Sequence, residues 1–519
     1  MDRRTYSSVN LGGLFDRIFL PQRATRPAIL CEHRKISYSE LREQVLRAAQ
    51  SLRGLGIAEG DRVAMLLADS PEFIASFIAI ISLGAIAVPI NLALRREDQL
   101  FILKDCGACA AIVETGVAET LLSNRDELNE LKILSTESLT GIAEPDGALF
   151  HGRATAPSDH DAFILYTSGS TGEAKGAVHS QADIFYTNET FCREVLNLRE
   201  GDRLFSSSRL PFAYGLGNGF TFPLLNGLTT ILCREKPTAD VVSGVFRDYR
   251  PTIFFGVPVV YRMLLEHHRS VTPLETSSLR LCVSAGEALP AQLGAEWQKT
   301  FGVEVLDGIG STEMLHMFMS NHEREVRYGS SGKLLNGYEA RLIDHEAAPT
   351  KPGEVGNLWI RGGSAASRYW QRPETSAETF ADGWVRTGDL YRQDQDGFWW
   401  HMGRSDDCFK PTGQWVSPVE VEGVLLRHDD VRAAAVVEGF DKDGLSCVCA
   451  FIVAETQSNP SMLENNLRAH CEWLPRFKQP RHYIFVDDLP YTATGKLQRF
   501  KLRELLQNPK SNVQGPRPS

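Results

Sequence analysis

The chain has 519 residues, and single hydrophobic cores stop growing at about 250–300 residues, so two or more domains are expected. With 43% hydrophobic and 23% charged residues it has a globular composition, which excludes a disordered or fibrous chain. A net charge of −10 argues against nucleic-acid partners, whose phosphates demand a basic surface, and leaves small phosphates open because those need only a local site.

The first ten residues, MDRRTYSSVN, lack the apolar run of a signal peptide, and a cytoplasmic location is expected. Arg62 to Leu67 reads as a buried strand. Phe73 to Ile90 is eighteen residues without a charge, close to the length of a membrane helix. Gly84 and Pro89 interrupt it, so the prediction is a buried helix, a turn and a core strand over Ala85 to Ile90, with no membrane partner. Ala162 to Tyr166, Thr252 to Gly256 and Arg280 to Val283 read as further buried strands, several ending in Gly-, Ser- or Pro-rich turns before helical stretches. The alternation predicts an α/β fold with layered, largely parallel sheets, whose ligands sit beyond the carboxyl ends of the strands. After Tyr338, Glu339 to Ile343 and Asn357 to Arg361 look like strands of a smaller β-rich unit. The polar, glycine-led stretch Gly403 to Asp407 (GRSDD) places a boundary there, giving domains 1–405 and 406–519. Ten cysteines are scattered: Cys106 and Cys109 form a lone CxxC, and Cys447 and Cys449 stand two apart. No second CxxC or histidine cluster completes a zinc site, so reduced, structural thiols are expected.

Thr167 to Gly176, TSGSTGEAKG, follows the strand-like Phe163 to Tyr166 and concentrates glycines and hydroxyls around one lysine. Glycines let backbone N–H groups wrap an anion, hydroxyls add neutral donors, and Lys175 adds a point charge. It is not a Walker A loop, because Gly172 is followed by Glu173 instead of lysine. Companion motifs follow in order: SAGEALP (Ser284 to Pro290), DGIGSTE (Asp307 to Glu313), GWVRTGDL (Gly383 to Leu390), GRSDDCFK (Gly403 to Lys410) and TATGKLQR (Thr492 to Arg499).

These ordered motifs resemble those of the adenylate-forming enzymes, which include acyl-CoA synthetases, firefly-type luciferases and peptide-synthetase adenylation domains. The resemblance implies a large N-terminal domain of layered sheets and helices with a β-barrel-like subdomain, a small mobile α+β C-terminal domain, and an active site between them. It also implies that a carboxylate joins the α-phosphate of ATP, with Mg²⁺, before an acceptor thiol displaces AMP. On this likeness Thr167, Ser168, Gly169, Ser170, Thr171, Gly172 and Lys175 hold the β- and γ-phosphates. Gly286, Glu287, Asp307, Gly308, Ile309, Gly310 and Ser311 border the adenine and AMP; Asp389 takes the ribose hydroxyls, with Arg404 nearby. Thr312 meets the α-phosphate, Glu313 is the Mg²⁺-linked carboxylate, and Lys496 reaches both substrate carboxylate and α-phosphate. Asp406 matches the hinge and Gly413 the glycine that lines a pantetheine tunnel.

Pro211 to Gly219 (PFAYGLGNG) and Gly308 to Asn321 (GIGSTEMLHMFMSN) resemble the benzoate–CoA ligase branch, which includes hydroxybenzoate and anthranilate ligases. An aryl pocket is expected from Ala213, Tyr214, Gly215, Ala285, Gly308, Gly310, Leu315 and His316, small residues leaving room for a ring and His316 orienting the carboxylate. The expected partners are a small aromatic acid, ATP and coenzyme A, with the chain a monomer or homodimer. Benzoate and anthranilate lead among acids. Two alternatives stand beside this reading: an enzyme loading a carrier protein in trans, and a non-catalytic nucleotide-binding protein.

Overall fold

The computed structural model describes residues 13–117, 128, 131–139, 160–167, 174–344, 346–455, 460–491 and 497–507. The chain divides into two compact units, Met1–Ala340 with Trp359–Arg386, and Arg341–Leu358 with Thr387–Ser519. The divisions fall inside the strands Glu339–Ile343, Gly356–Arg361 and Trp384–Gln393, the β-rich stretch seen in the sequence after Tyr338.

Among the described residues the first unit holds two large sheets. One runs in the order Lys333–Leu334, Met317–Ser320, Val305–Gly310, Leu281–Ser284, Ile253–Gly256, Arg203–Ser206, Thr229–Ile231, Pro27–Cys31 and Arg34–Ser37. Its central strands are parallel, and Ile253–Gly256 and Leu281–Ser284 are buried at every position, as expected of a sheet covered on both faces. The other runs Arg368–Tyr369, Lys175–Ser180, Asp161–Thr167, Ile86–Pro89, Arg62–Leu66, Ala110–Val113 and Lys132–Ser135. One core cluster joins Ile29 of the first sheet to Met65, Ile112 and Phe163 of the second through the helices Tyr38–Gly54 and Pro71–Ser82. A second, with Phe205, Phe254, Tyr261 and Trp297, packs Ala239–Tyr249, Pro258–Ser270 and Ala291–Phe301 against the first sheet.

The uncharged segment resolves as the sequence predicts. Ser70 caps the helix Pro71–Ser82 by accepting from the Phe73 N–H at 3.2 Å, and Pro71 occupies the first turn, where no N–H is needed. Gly84, at φ +78°, turns the chain into the strand Ile86–Pro89. No helix among the described residues is long and apolar enough to cross a membrane.

DGIGSTE begins within a strand. Asp307 to Gly310 continue the strand Val305–Gly310, because Met317–Ser320 pairs back onto it antiparallel, with Gly308 opposite Ser320 and Ile309 opposite Met319.

The second unit carries the sheet Val431–Phe440, Ser446–Ala454 and His482–Phe485, with the helices Pro418–Leu425, Pro460–His470 and Arg499–Gln507. Its strands are apolar on both faces: Val436, Val448 and Ile452 belong to one cluster, and Val437, Phe451 and Leu502 to another.

Candidate active site

The phosphate motif is anchored by an antiparallel pair in which Thr167 stands opposite Lys175. Ser168, Gly169, Ser170, Thr171 and Gly172 lie outside the described residues. The Lys175 ammonium sits 5.8 Å from the centroid of the Tyr369 ring, within cation–π range. The Tyr369 hydroxyl donates to Glu313 Oε1 at 2.6 Å, and the Ala366 N–H donates to the Glu313 carbonyl at 2.7 Å. Lys175, Tyr369 and Glu313 thus form one arc, a cation and a carboxylate joined through a phenol.

Thr312 is fixed from behind. His179 is fully buried, with Nε2 2.8 Å from the Thr312 carbonyl and Nδ1 2.9 Å from Asp183 Oδ2. Asp183 also accepts from the Ser180 N–H and hydroxyl, both at 3.0 Å. His179 thus bridges the Asp183 carboxylate and the Thr312 carbonyl, and this buried pair fixes the Thr312 backbone. The chain then turns sharply: the Leu315 N–H bonds to the Thr312 carbonyl at 3.1 Å with Leu315 at φ +62°, a conformation few branched residues adopt. Ser311 Oγ accepts from the Met314 N–H at 3.2 Å. The turn buries Leu315 and delivers His316 into an aromatic cage.

That cage consists of Phe191 and Phe222, each 4.7 Å from the His316 ring centroid, and Tyr214, stacked at 5.6 Å and 28°. His316 is 3% exposed, and neither ring nitrogen makes a hydrogen bond of ordinary length and angle among the described residues, the Tyr214 backbone being its weak polar neighbour. Burial pushes its pKa down to about 3, so the ring is neutral at working pH. Tyr214 spends its hydroxyl on the Val283 carbonyl at 3.1 Å, and burial raises its pKa well above the ordinary tyrosine value, leaving a ring face for apolar contact.

At the carboxyl end of Leu281–Ser284, Ala285 is buried, Gly286 turns at φ +95°, and Glu287 is half-exposed. Asp307, opposite Ser284 on the next strand, accepts the Leu289 N–H at 3.2 Å through Oδ2 while Oδ1 has no partner among the described residues. Burial raises its pKa to about 8.

A Cβ added at the glycines of the expected pocket would meet neighbouring atoms. A Cβ on Gly308 would stand 2.3 Å from Met317 Cε and 2.4 Å from the Met319 carbonyl; one on Gly310 would stand 2.6 Å from the His316 carbonyl. At Gly215 the space is filled by the Arg209 carbonyl, 2.0 Å from such a Cβ. These glycines allow close packing of neighbouring strands and side chains at positions the sequence reading also places along the ring. At Gly217, which that reading passed over, a Cβ would stand 2.6 Å from His316 Cδ2. Ala213 is buried beside Tyr214.

In the second unit, Asp389 faces Arg404 across an antiparallel pair, with Nη1 and Oδ1 3.4 Å apart, and His401 Nε2 lies 3.5 Å from the same oxygen. Arg404 also donates to the Thr387 carbonyl at 2.9 Å and lies over Gly388, at φ +76°, where a Cβ would meet its guanidinium. Asp406 is exposed and accepts from the Ser405 hydroxyl at 3.4 Å. Gly413 turns at φ +82°, and a Cβ there meets open space. Lys496 lies outside the described residues.

Sequence reasoning missed Tyr369, His179, Asp183, Gly217, Phe191 and Phe222. Gly217 lies inside PFAYGLGNG but only the fold shows it against His316; the others sit in no glycine-rich or charged motif, and the fold brings them to Glu313, Thr312 and His316.

Two family models match the chain: the AMP-binding enzyme over residues 19–370 and the AMP-binding enzyme C-terminal domain over 420–496. The chain belongs to the AMP-binding enzyme family, the adenylate-forming superfamily, and within it to the benzoate–CoA ligase branch. It is 42% identical to the benzoate–CoA ligase of Thauera aromatica, over 94% of each chain. The anthranilate CoA ligase AuaEII, solved with anthranoyl-AMP, superposes with a TM-score of 0.89 at 36% identity, covering 98% of this chain and 99% of that one. A benzoate CoA ligase from Burkholderia xenovorans LB400 gives 0.87 at 38% identity, over 95% and 100%.

Proposed function

We propose that the protein is a cytoplasmic aryl acid–CoA ligase. It joins a benzoate- or anthranilate-type acid to AMP at the expense of ATP and passes the aryl group to coenzyme A. The observation that carries the reading is the neutral, buried His316 between Tyr214, Phe191 and Phe222, three residues after Glu313. Aromatic walls suit a flat ring, and a buried neutral imidazole has an N–H to donate to a carboxylate. The likeness to proteins described as benzoate and anthranilate CoA ligases supports the same substrate class.

In the first step two anions meet, so positive charge and donors must surround them. Lys175 lies beside the phosphates, with Thr167 and residues 168–172. Thr312, held by the His179–Asp183 pair, presents its hydroxyl to the α-phosphate. The residues fit magnesium: a hard cation wants oxygen ligands, and Glu313 is a carboxylate oriented by the Tyr369 hydroxyl. Bound there, Mg²⁺ would screen phosphate charge. Asp389 takes the ribose diol, Arg404 keeps that carboxylate aligned, and Gly286, Glu287 and Asp307 to Ser311 border the nucleotide. Lys496 spans substrate carboxylate and α-phosphate. In the second step Asp406 is the hinge and Gly413 borders the pantetheine.

The test is exchange of labelled pyrophosphate into ATP without coenzyme A. Benzoate or anthranilate is expected to drive it and medium-chain fatty acids are not; exchange driven by fatty acids alone would sink the proposal.

A further inference from the structure

The sequence shows Cys447 and Cys449 two residues apart with no third ligand nearby. The structure supplies one. Both cysteines lie on the strand Ser446–Ala454, where alternate side chains share a face, and His482 on the neighbouring parallel strand stands opposite Cys449. One sulfur from each cysteine and one imidazole nitrogen lie within 4.8 Å of one another. The sulfurs are buried, 2% and 1% exposed by residue, while His482 is exposed and opens the group to solvent. Gly439 on the facing strand lets the Cys449 sulfur lean across it, since a Cβ there would stand 2.2 Å from Sγ.

We propose that Cys447, Cys449 and His482, all in the second unit, bind a zinc-like divalent cation. Three arguments select this ion class. Thiolate and imidazole are the donors zinc prefers, at about 2.3 Å from sulfur and 2.0–2.1 Å from nitrogen, which brings ligand atoms to roughly 3.5–3.8 Å apart. Shifts of about an ångström in side-chain torsions reach that spacing from the observed 4.8 Å limit. Two thiolates also cancel a double positive charge, which a buried position demands, whereas magnesium or calcium would want oxygen ligands. A single exposed imidazole leaves the fourth position to water at the solvent edge.

Zinc takes cysteine as thiolate, so each thiol carries a proton that must leave. The cation therefore displaces those protons as it binds. It ties His482–Phe485 to Ser446–Ala454, and so acts as a clip within the small sheet of the second unit.

The test is titration of the chelator-treated full chain with Zn²⁺ against a chromophoric competitor, with Cd²⁺ as the optical probe. The wild type is expected to bind one Zn²⁺ and to show a thiolate-to-cadmium absorption band. The double variant Cys447→Ser/Cys449→Ser loses both, and Cys471→Ser, a buried cysteine elsewhere in the unit, keeps both. Because His482 is exposed, His482→Ala folds normally; it weakens Zn²⁺ by about tenfold or more and abolishes the rise in Tm that Zn²⁺ gives the wild type. Equal Zn²⁺ affinity in the wild type and in these variants, or no stoichiometric binding by the wild type, overturns the proposal.

Discussion

Burial pushes the His316 pKa down to about 3, so near pH 7 it acts through a neutral imidazole that keeps one ring N–H. Its contribution to stability is ring packing, and its contribution to the reaction is a nitrogen. His316→Phe separates the two: kcat/KM for the aryl acid is expected to fall about 10- to 100-fold, while stability changes by less than about 1 kcal/mol. An unchanged kcat/KM would make His316 a packing residue only. Asp307 gives a second test at this scale. Its native pKa of about 8 exceeds the unfolded value of 3.8, so the native state binds more protons between those values and stability falls as pH rises through that window. Asp307→Asn removes that slope, which denaturant melts from pH 4 to pH 8 would show; a wild-type profile that does not decline relative to the variant would contradict the assignment.

Strands and helices carried most of the legible information. Ile253–Gly256, Leu281–Ser284 and the Pro71–Ser82 helix could be read because their burial is local: continuous apolar runs bounded by Gly, Ser and Pro. The candidate aryl pocket was read from two segments, PFAYGLGNG and GIGSTEMLHMFMSN, whose packing was not legible. Whether a glycine faces a ligand or a neighbouring strand depends on pairing, and the return of Met317–Ser320 onto Val305–Gly310 is a long-range event. The same holds for Tyr369, which reaches Glu313 from a two-residue strand far along the chain. At Gly310 the packing makes a definite claim: Gly310→Ala forces a methyl group to 2.6 Å from the His316 carbonyl. Overpacking against backbone costs about 1–3 kcal/mol, so a loss of stability of that size is expected, with a drop in aryl acid turnover as the His316 turn shifts. Native stability in this variant would show that the strand pair has slack.

At the scale of the molecule, the two chemical steps are assigned to residues far apart in sequence. Lys496→Ala is expected to cripple adenylation while thioester formation from supplied acyl-adenylate survives; equal loss of both steps removes Lys496 from its role. Gly413→Leu is expected to do the reverse. Its backbone at φ +82° resists a branched side chain, so a Gly413→Ala variant with the same strain and little bulk is the control. Thioester formation lost in both alike would point to strain, and loss in the leucine variant alone to a blocked passage.

The most direct measurement is AMP release with ATP, Mg²⁺ and coenzyme A across benzoate, aminobenzoates, hydroxybenzoates and medium-chain fatty acids. Strong turnover on one aryl acid, dependent on coenzyme A, is the predicted result. Preference for fatty acids, or aryl adenylation that coenzyme A leaves unchanged, would contradict an aryl acid–CoA ligase built around His316.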